Sequence, residues 1–170
     1  MHKKAKSIAL CGILGAMALV LSFLEGALPP IPGLPPGARL GLSNIVTMFT
    51  AGTMGLPHAL CIALIKGGFS FLTRGVTAGT MSMLGGIMST LAMWLVWKKT
   101  SFSLIFMGVC GALAHNTAQF FVSLLLTGVA AVFYIPSMLL MSVLTGACSG
   151  TVLKMILPAL RRIPNGFKKD

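Results

Sequence analysis

The chain has 170 residues, of which 56% are hydrophobic and 9% charged, where a typical soluble domain carries roughly 25% charged residues. With a mean hydropathy of +0.94, this excludes a water-exposed globule, a disordered chain and a secreted disulfide scaffold. The net charge of +11 does not indicate a nucleic-acid partner, because the cations sit in short clusters beside apolar runs, as the positive-inside rule produces.

Taken in order, the apolar runs predict six membrane spans, each near the roughly 17–25 residues that a bilayer requires. The first covers 7–28 after Lys3, Lys4 and Lys6, and is expected to be retained, since no small-x-small cleavage site follows it. A stiff, donor-poor segment comes next, Pro29-Pro30-Ile31-Pro32-Gly33-Leu34-Pro35-Pro36-Gly37. The second span is placed at 40–55 and the third at 58–73, separated by Gly55-Leu56-Pro57. A fourth covers 76–97, with Trp94 and Trp97 as interfacial anchors. The fifth runs over 102–127 and the sixth over 134–157. Residues 1–157 thus form one transmembrane domain, and 158–170 a basic cytoplasmic tail.

Charge fixes the expected topology. With the N-terminus cytoplasmic, the inner segments hold Lys3, Lys4, Lys6, Lys98, Lys99, Lys154, Arg161, Arg162, Lys168 and Lys169, while the outer loops hold only Arg39 and Arg74. Both termini then face the cytoplasm. The same cations favour anionic lipid headgroups. Cys11, Cys61, Cys110 and Cys148 lie far apart without metal-type spacing, and read as buried free thiols.

Hydrophilic residues inside lipid are costly and mark function by default. Glu25 is the only acid before Asp170 and falls near the outer end of the first span. Arg39 opens the second, Asn44 lies one turn deeper, Lys66 sits near mid-depth of the third and Arg74 at its outer end. In the fifth, His115, Asn116 and Gln119 share a 3.6-period face. His115 is about 20 Å along that helix from its inner end, so polarity collects toward the exterior. This pattern predicts a cavity, with surplus positive charge, for an anionic or strongly hydrogen-bonding solute captured from outside. Small residues recur at packing spacing, and Ala5, Ala9, Gly12 and Ala16 form a flat strip near the inner end of the first span that suits a partner's helix.

Catalysis has little support. Paired carboxylates for acid–base or magnesium–diphosphate chemistry are missing, as are a Gly-x-Ser-x-Gly elbow and a P-loop. The reading is therefore non-enzymatic, with no cofactor or metal, and any use of ATP belongs to another chain.

Pro36-Gly37-Ala38-Arg39-Leu40-Gly41-Leu42-Ser43-Asn44-Ile45-Val46 resembles the Pro-Gly-x-Lys/Arg-Leu-Gly-Leu-Ala/Ser-Asn-Ile-Val signature of the bacterial heptaprenyl diphosphate synthase component I, or Gx transporter, family. Glu25, a cation at Lys66 (usually Arg there), Ser82-x-x-Gly85-Gly86, Gly111-Ala112-x-Ala114-His115-Asn116-x-x-Gln119, Tyr134-x-Pro136 and Gly146-x-x-x-Gly150 follow in the same order, over about residues 5–155. That family in turn is similar to the S components of energy-coupling factor (ECF) transporters. The resemblance implies a six-helix bundle of the bacterial cytoplasmic membrane that binds a small solute near its outer face. It also implies a coupling protein and two ATPases as partners, with the small-residue strip as the docking surface and the Pro-rich loop as a lid. Glu25, Arg39, Asn44, Lys66, Arg74, His115, Asn116 and Gln119 are the expected solute ligands. The alternative is a non-catalytic membrane subunit for polyprenyl diphosphate synthesis.

Overall fold

A computed structural model describes residues 2–29, 41–99 and 103–161. The Pro-rich segment after Pro29, Arg39 and residues 162–170 of the basic tail lie outside the described residues. Every long element is helical, as lipid demands of a chain whose backbone groups must be satisfied within one segment. Helix α1 (His2–Ala27) turns Leu14, Ala18, Ser22 and Glu25 inward, while Ile13, Met17, Val20 and Phe23 stay exposed.

Helix α2 (Asn44–Thr53) is much shorter than the expected span of 40–55. At 10 residues it is about 15 Å long, half of a hydrocarbon layer. Its limits are set by Gly41 and Gly55, whose φ of 80° and 86° break helical continuation at each side. Seven of its residues, including Asn44, Thr47 and Thr50, are buried, so protein rather than lipid surrounds it. The hydroxyls of Thr47, Thr50 and Thr53 donate to backbone carbonyls three or four residues earlier, which satisfies them without a partner helix.

Helix α3 (Leu56–Lys99) consists of two helical arms joined at Gly75, whose φ of 83° and ψ of −179° are not helical and turn the chain back. Its arms, 56–74 and 76–99, pack antiparallel. A Cβ placed on Gly67 would lie 2.9 Å from the Met83 Cα, and one on Gly79 would lie 2.8 Å from the Phe71 Cα. Glycine is what permits this approach in the absence of a hydrophobic drive between helices. The expected division between 73 and 76 is therefore present as a single-residue reversal.

Helix α4 (Leu104–Thr127) starts at the Ser103 cap, whose hydroxyl accepts the Phe106 N–H at 3.3 Å. A 3-10 helix (Gly128–Tyr134) leads into helix α5 (Ile135–Arg161), which runs past the expected domain edge at 157. Gly146 brings α4 and α5 together: a Cβ there would lie 2.5 Å from Val109 Cα and 2.7 Å from the Gly108 carbonyl.

Three stretches are long and apolar enough to cross a membrane, Ala5–Ala27, Leu56–Lys99 and Leu104–Pro158. Leu72, Leu125 and Phe133 are each more than 85% exposed, an apolar exterior that water would not tolerate on this scale. The protein is an all-helical membrane protein. The thiols were expected to be buried; Cys61 and Cys148 are instead exposed on this exterior, while Cys11 and Cys110 are half-buried, Cys11 against the apolar core.

The interior is divided by chemistry. Leu14, Val46, Phe49, Ile62, Met93 and Leu153 belong to one apolar core, with Trp94 and Trp97 packed against it beside Lys98, whose ammonium lies 4.8 Å from the Trp94 ring. Toward the opposite end gather the buried ionisable and amide groups Glu25, Asn44, Lys66, His115 and Gln119, with Ser43, Ser70 and Ser82 beside them.

Candidate functional site

Glu25 organises the turn that leads into α2. Its carboxylate accepts the N–H groups of Gly41 at 2.6 Å and Leu42 at 2.9 Å, and the Ser43 hydroxyl at 3.3 Å. The Ser43 side chain thus donates across to α1 instead of capping its own helix. A carboxylate from one helix supplies the anion favoured before the N-terminus of another. Gly41 is required twice, by its positive φ and because a Cβ would lie 2.7 Å from Asn44 Nδ2.

Lys66, 2% exposed, donates from Nζ to Asn44 Oδ1 at 2.6 Å. One turn further along the same face, Ser70 Oγ lies 3.0 Å from the Lys66 carbonyl and 3.1 Å from the Ser82 hydroxyl on the other arm. Arg74 Nη2 donates to Ser70 Oγ at 2.5 Å, and the Arg74 stem passes over Gly26 of α1. One polar ladder therefore climbs from mid-helix to the reversal.

Helix α4 closes the opposite wall. Gln119 Nε2 donates to His115 Nε2 at 3.0 Å, a pairing in which the histidine accepts and carries its proton on Nδ1. The imidazole packs against Gly85, where a Cβ would come within 2.7 Å of Cε1 and Nδ1. Gln119 Oε1 and His115 Nδ1 are buried with no well-formed hydrogen bond among the described residues.

Asn116 corrects the expected face. Its amide donates to Ser142 Oγ at 2.8 Å and to the Met138 carbonyl at 3.2 Å, tying α4 to α5. One residue is about 100° of helix, enough to turn it from the cavity that His115 and Gln119 face.

A narrow polar cavity results, within about 260 Å³ of space that includes the solvent at its mouth, lined by Ser22, Glu25, Gly41, Ser43, Lys66, Arg74, Ala78, Ser82, His115 and Gln119. Five of the expected ligands meet there. Asn44 lies behind Lys66, on the wall of a neighbouring space of about 240 Å³, and Arg39 is outside the described residues. Sequence reasoning missed Ser22, Ser43, Ser70 and Ser82. The signal for two of them was present: Ser70 is one turn from Lys66, and Ser82 opens the Ser82-x-x-Gly85-Gly86 motif. As the side chains stand, the cavity has room for about one water, so a solute would enter by parting its walls. Among the described residues no group of His, Cys, Asp or Glu could hold a metal ion, and Glu25 is the single carboxylate lining the cavity. The arrangement can hold a solute; it does not supply paired acid and base groups.

Ala5, Ala9, Gly12 and Ala16 are all exposed on α1, and a Cβ at Gly12 would meet nothing within 4 Å. The strip forms a flat outer surface remote from the cavity.

The family model for heptaprenyl diphosphate synthase component I matches residues 14–156. The chain belongs to that family. No curated protein sequence matches it. Among solved structures, the S component of a bacterial ECF transporter is similar with a TM-score of 0.74 and 21% identity, covering 95% of this chain and 99% of that one. This heptaprenyl diphosphate synthase component I family member therefore has the fold of that S component, as the Asn44 and His115 motifs implied.

Proposed function

We propose that this chain is the solute-binding subunit of a membrane uptake system, working as an S component does. The observation that carries this reading is the polar cavity between α1, the turn before α2, both arms of α3 and α4. It lies at the end of the bundle opposite Lys98 and Lys99. In this reading the chain is one domain of six membrane-embedded helices, with the short α2 and the two α3 arms counted separately. Both termini are cytoplasmic in a bacterial inner membrane, and the cavity opens outward. Glu25 holds the wall, while Lys66, Arg74, His115 and Gln119 bind a small polar solute, joined by Arg39 and, through Lys66, by Asn44. The exposed strip Ala5, Ala9, Gly12 and Ala16 receives a coupling protein, and ATPases in separate chains supply the energy. The chain itself is non-catalytic.

The test is a thermal-shift screen of small polar solutes on the detergent-purified protein, repeated with Gln119→Leu and Gly85→Leu. A stabilising solute whose effect both substitutions abolish supports the reading. Retention of the full shift in both variants rejects it.

A second reading has its own observation. An apolar groove of about 440 Å³ lies between α4 and α5, lined by Leu113, Phe120, Met138 and Leu139 among others. Its form suits a prenyl chain, and so suits an accessory role in polyprenyl diphosphate synthesis. Mass spectrometry of lipids that copurify with the protein separates the two: enrichment of an isoprenoid, lost in Met138→Trp, favours this second reading.

A further inference from the structure

Charge in the cavity is unbalanced in a way that specifies its solute. Lys66 and Arg74 face one carboxylate, Glu25. That carboxylate, which also accepts the N–H groups of Gly41 and Leu42 and the Ser43 hydroxyl, carries one charge against the two cations. The hydrogen-bond partner of the Lys66 ammonium is the amide oxygen of Asn44, a neutral acceptor. An ammonium that is 2% exposed bears a large desolvation cost, which one neutral acceptor offsets only in part. Across the cavity, which Gln119 lines, the Gln119 Oε1 acceptor is buried without a hydrogen-bond partner among the described residues. It requires a donor, and the described protein groups do not provide one.

Resting on the solute-binding reading above, we infer that the cavity takes a small monocarboxylate bearing a hydroxyl or N–H donor. The carboxylate replaces Asn44 Oδ1 on Lys66 Nζ, and the donor group satisfies Gln119 Oε1. A single negative charge matches the surplus of one cation among the described lining residues; a dianion leaves a second charge buried beside Glu25. Asn44 holds Lys66 in place until the solute arrives.

The test uses thermal stability and calorimetric titration of the full chain in detergent, with lactate, lactamide, malonate and chloride as probes. Lactate is expected to bind at least tenfold more tightly than its neutral amide, the dianion or the inorganic ion. Lys66→Met should erase that preference, and Lys66→Arg should restore it. Independently, Asn44→Asp places the missing charge beside Lys66 permanently. It should raise the melting temperature without any solute and weaken lactate at least tenfold. If lactamide binds as well as lactate, and does so through Gln119, the charge assignment falls while the solute-binding reading stands. If chloride or malonate equals lactate, the monocarboxylate assignment falls. If no probe shifts the protein and Asn44→Asp gives no gain in stability, the inference is overturned, and the solute screen above still decides the broader reading.

Discussion

Glu25 Oε1 accepts the Gly41 N–H at 2.6 Å, so the outer end of α1 holds the beginning of α2. Replacing the carboxylate with a neutral amide keeps the size and removes the charge assistance, worth about 2 kcal/mol for a hydrogen bond to a charged group. Glu25→Gln is expected to lower the melting temperature in detergent. Hydrogen exchange at Gly41 and Leu42 should accelerate more than exchange within α4. Uniform acceleration throughout the bundle would contradict a local anchoring role.

Two adjacent glycines offer a paired test of the cavity wall. Gly85→Ala drives a methyl into the His115 ring, whereas at Gly86 the nearest side-chain atom is Ala63 Cβ at an ordinary 3.5 Å. The first substitution should weaken solute binding at least tenfold by displacing the imidazole. The second should leave it within about twofold. Equal effects would show that His115 does not line the binding space.

The contact between α4 and α5 is set by backbone approach. Gly146→Ala inserts a methyl where Val109 Cα already lies at 2.5 Å, and overpacking of this kind costs about 1–3 kcal/mol. Gly12→Ala meets nothing within 4 Å and is expected to leave stability unchanged or to improve it through helix propensity. Thermal unfolding of the two variants, measured side by side, checks both statements.

Asn116 is expected to act on the bundle and not on the solute. A double-mutant cycle of Asn116→Leu with Ser142→Ala should give a coupling of about 1 kcal/mol, the size of an interhelical hydrogen bond in a membrane protein. Solute affinity should not move. Loss of binding in Ser142→Ala would place this pair inside the recognition machinery.

Much of the fold was legible because lipid imposes a simple rule on sequence: apolar runs become helices, and Gly or Pro ends them. Gly55, Gly75 and the 3-10 helix after Thr127 fall where the runs were divided. The shortness of α2 was not legible, since hydropathy over 40–55 cannot report that Gly41 adopts a φ of 80° or that the helix is wrapped in protein. Asn44, Lys66, His115 and Gln119 stood out as hydrophilic residues in lipid. The role of Glu25 was hidden for a different reason. Its partners include backbone N–H groups, which every residue but proline possesses, so nothing in the letters marks them. Asn116 misled because spacing defines a face about 100° wide, and the boundary between the cavity and the α5 contact runs through that face.

The reversal at Gly75 has a mechanical consequence. With no loop between the two arms of α3 and side chains meshed along their length, Lys66 and Ser82 ride on one stiff body, like the two leaves of a closed clasp. In the proposed uptake role, cargo would then be admitted by swinging α1 or α4, which carry Glu25 and His115 on the facing walls, away from that body while the clasp stays shut.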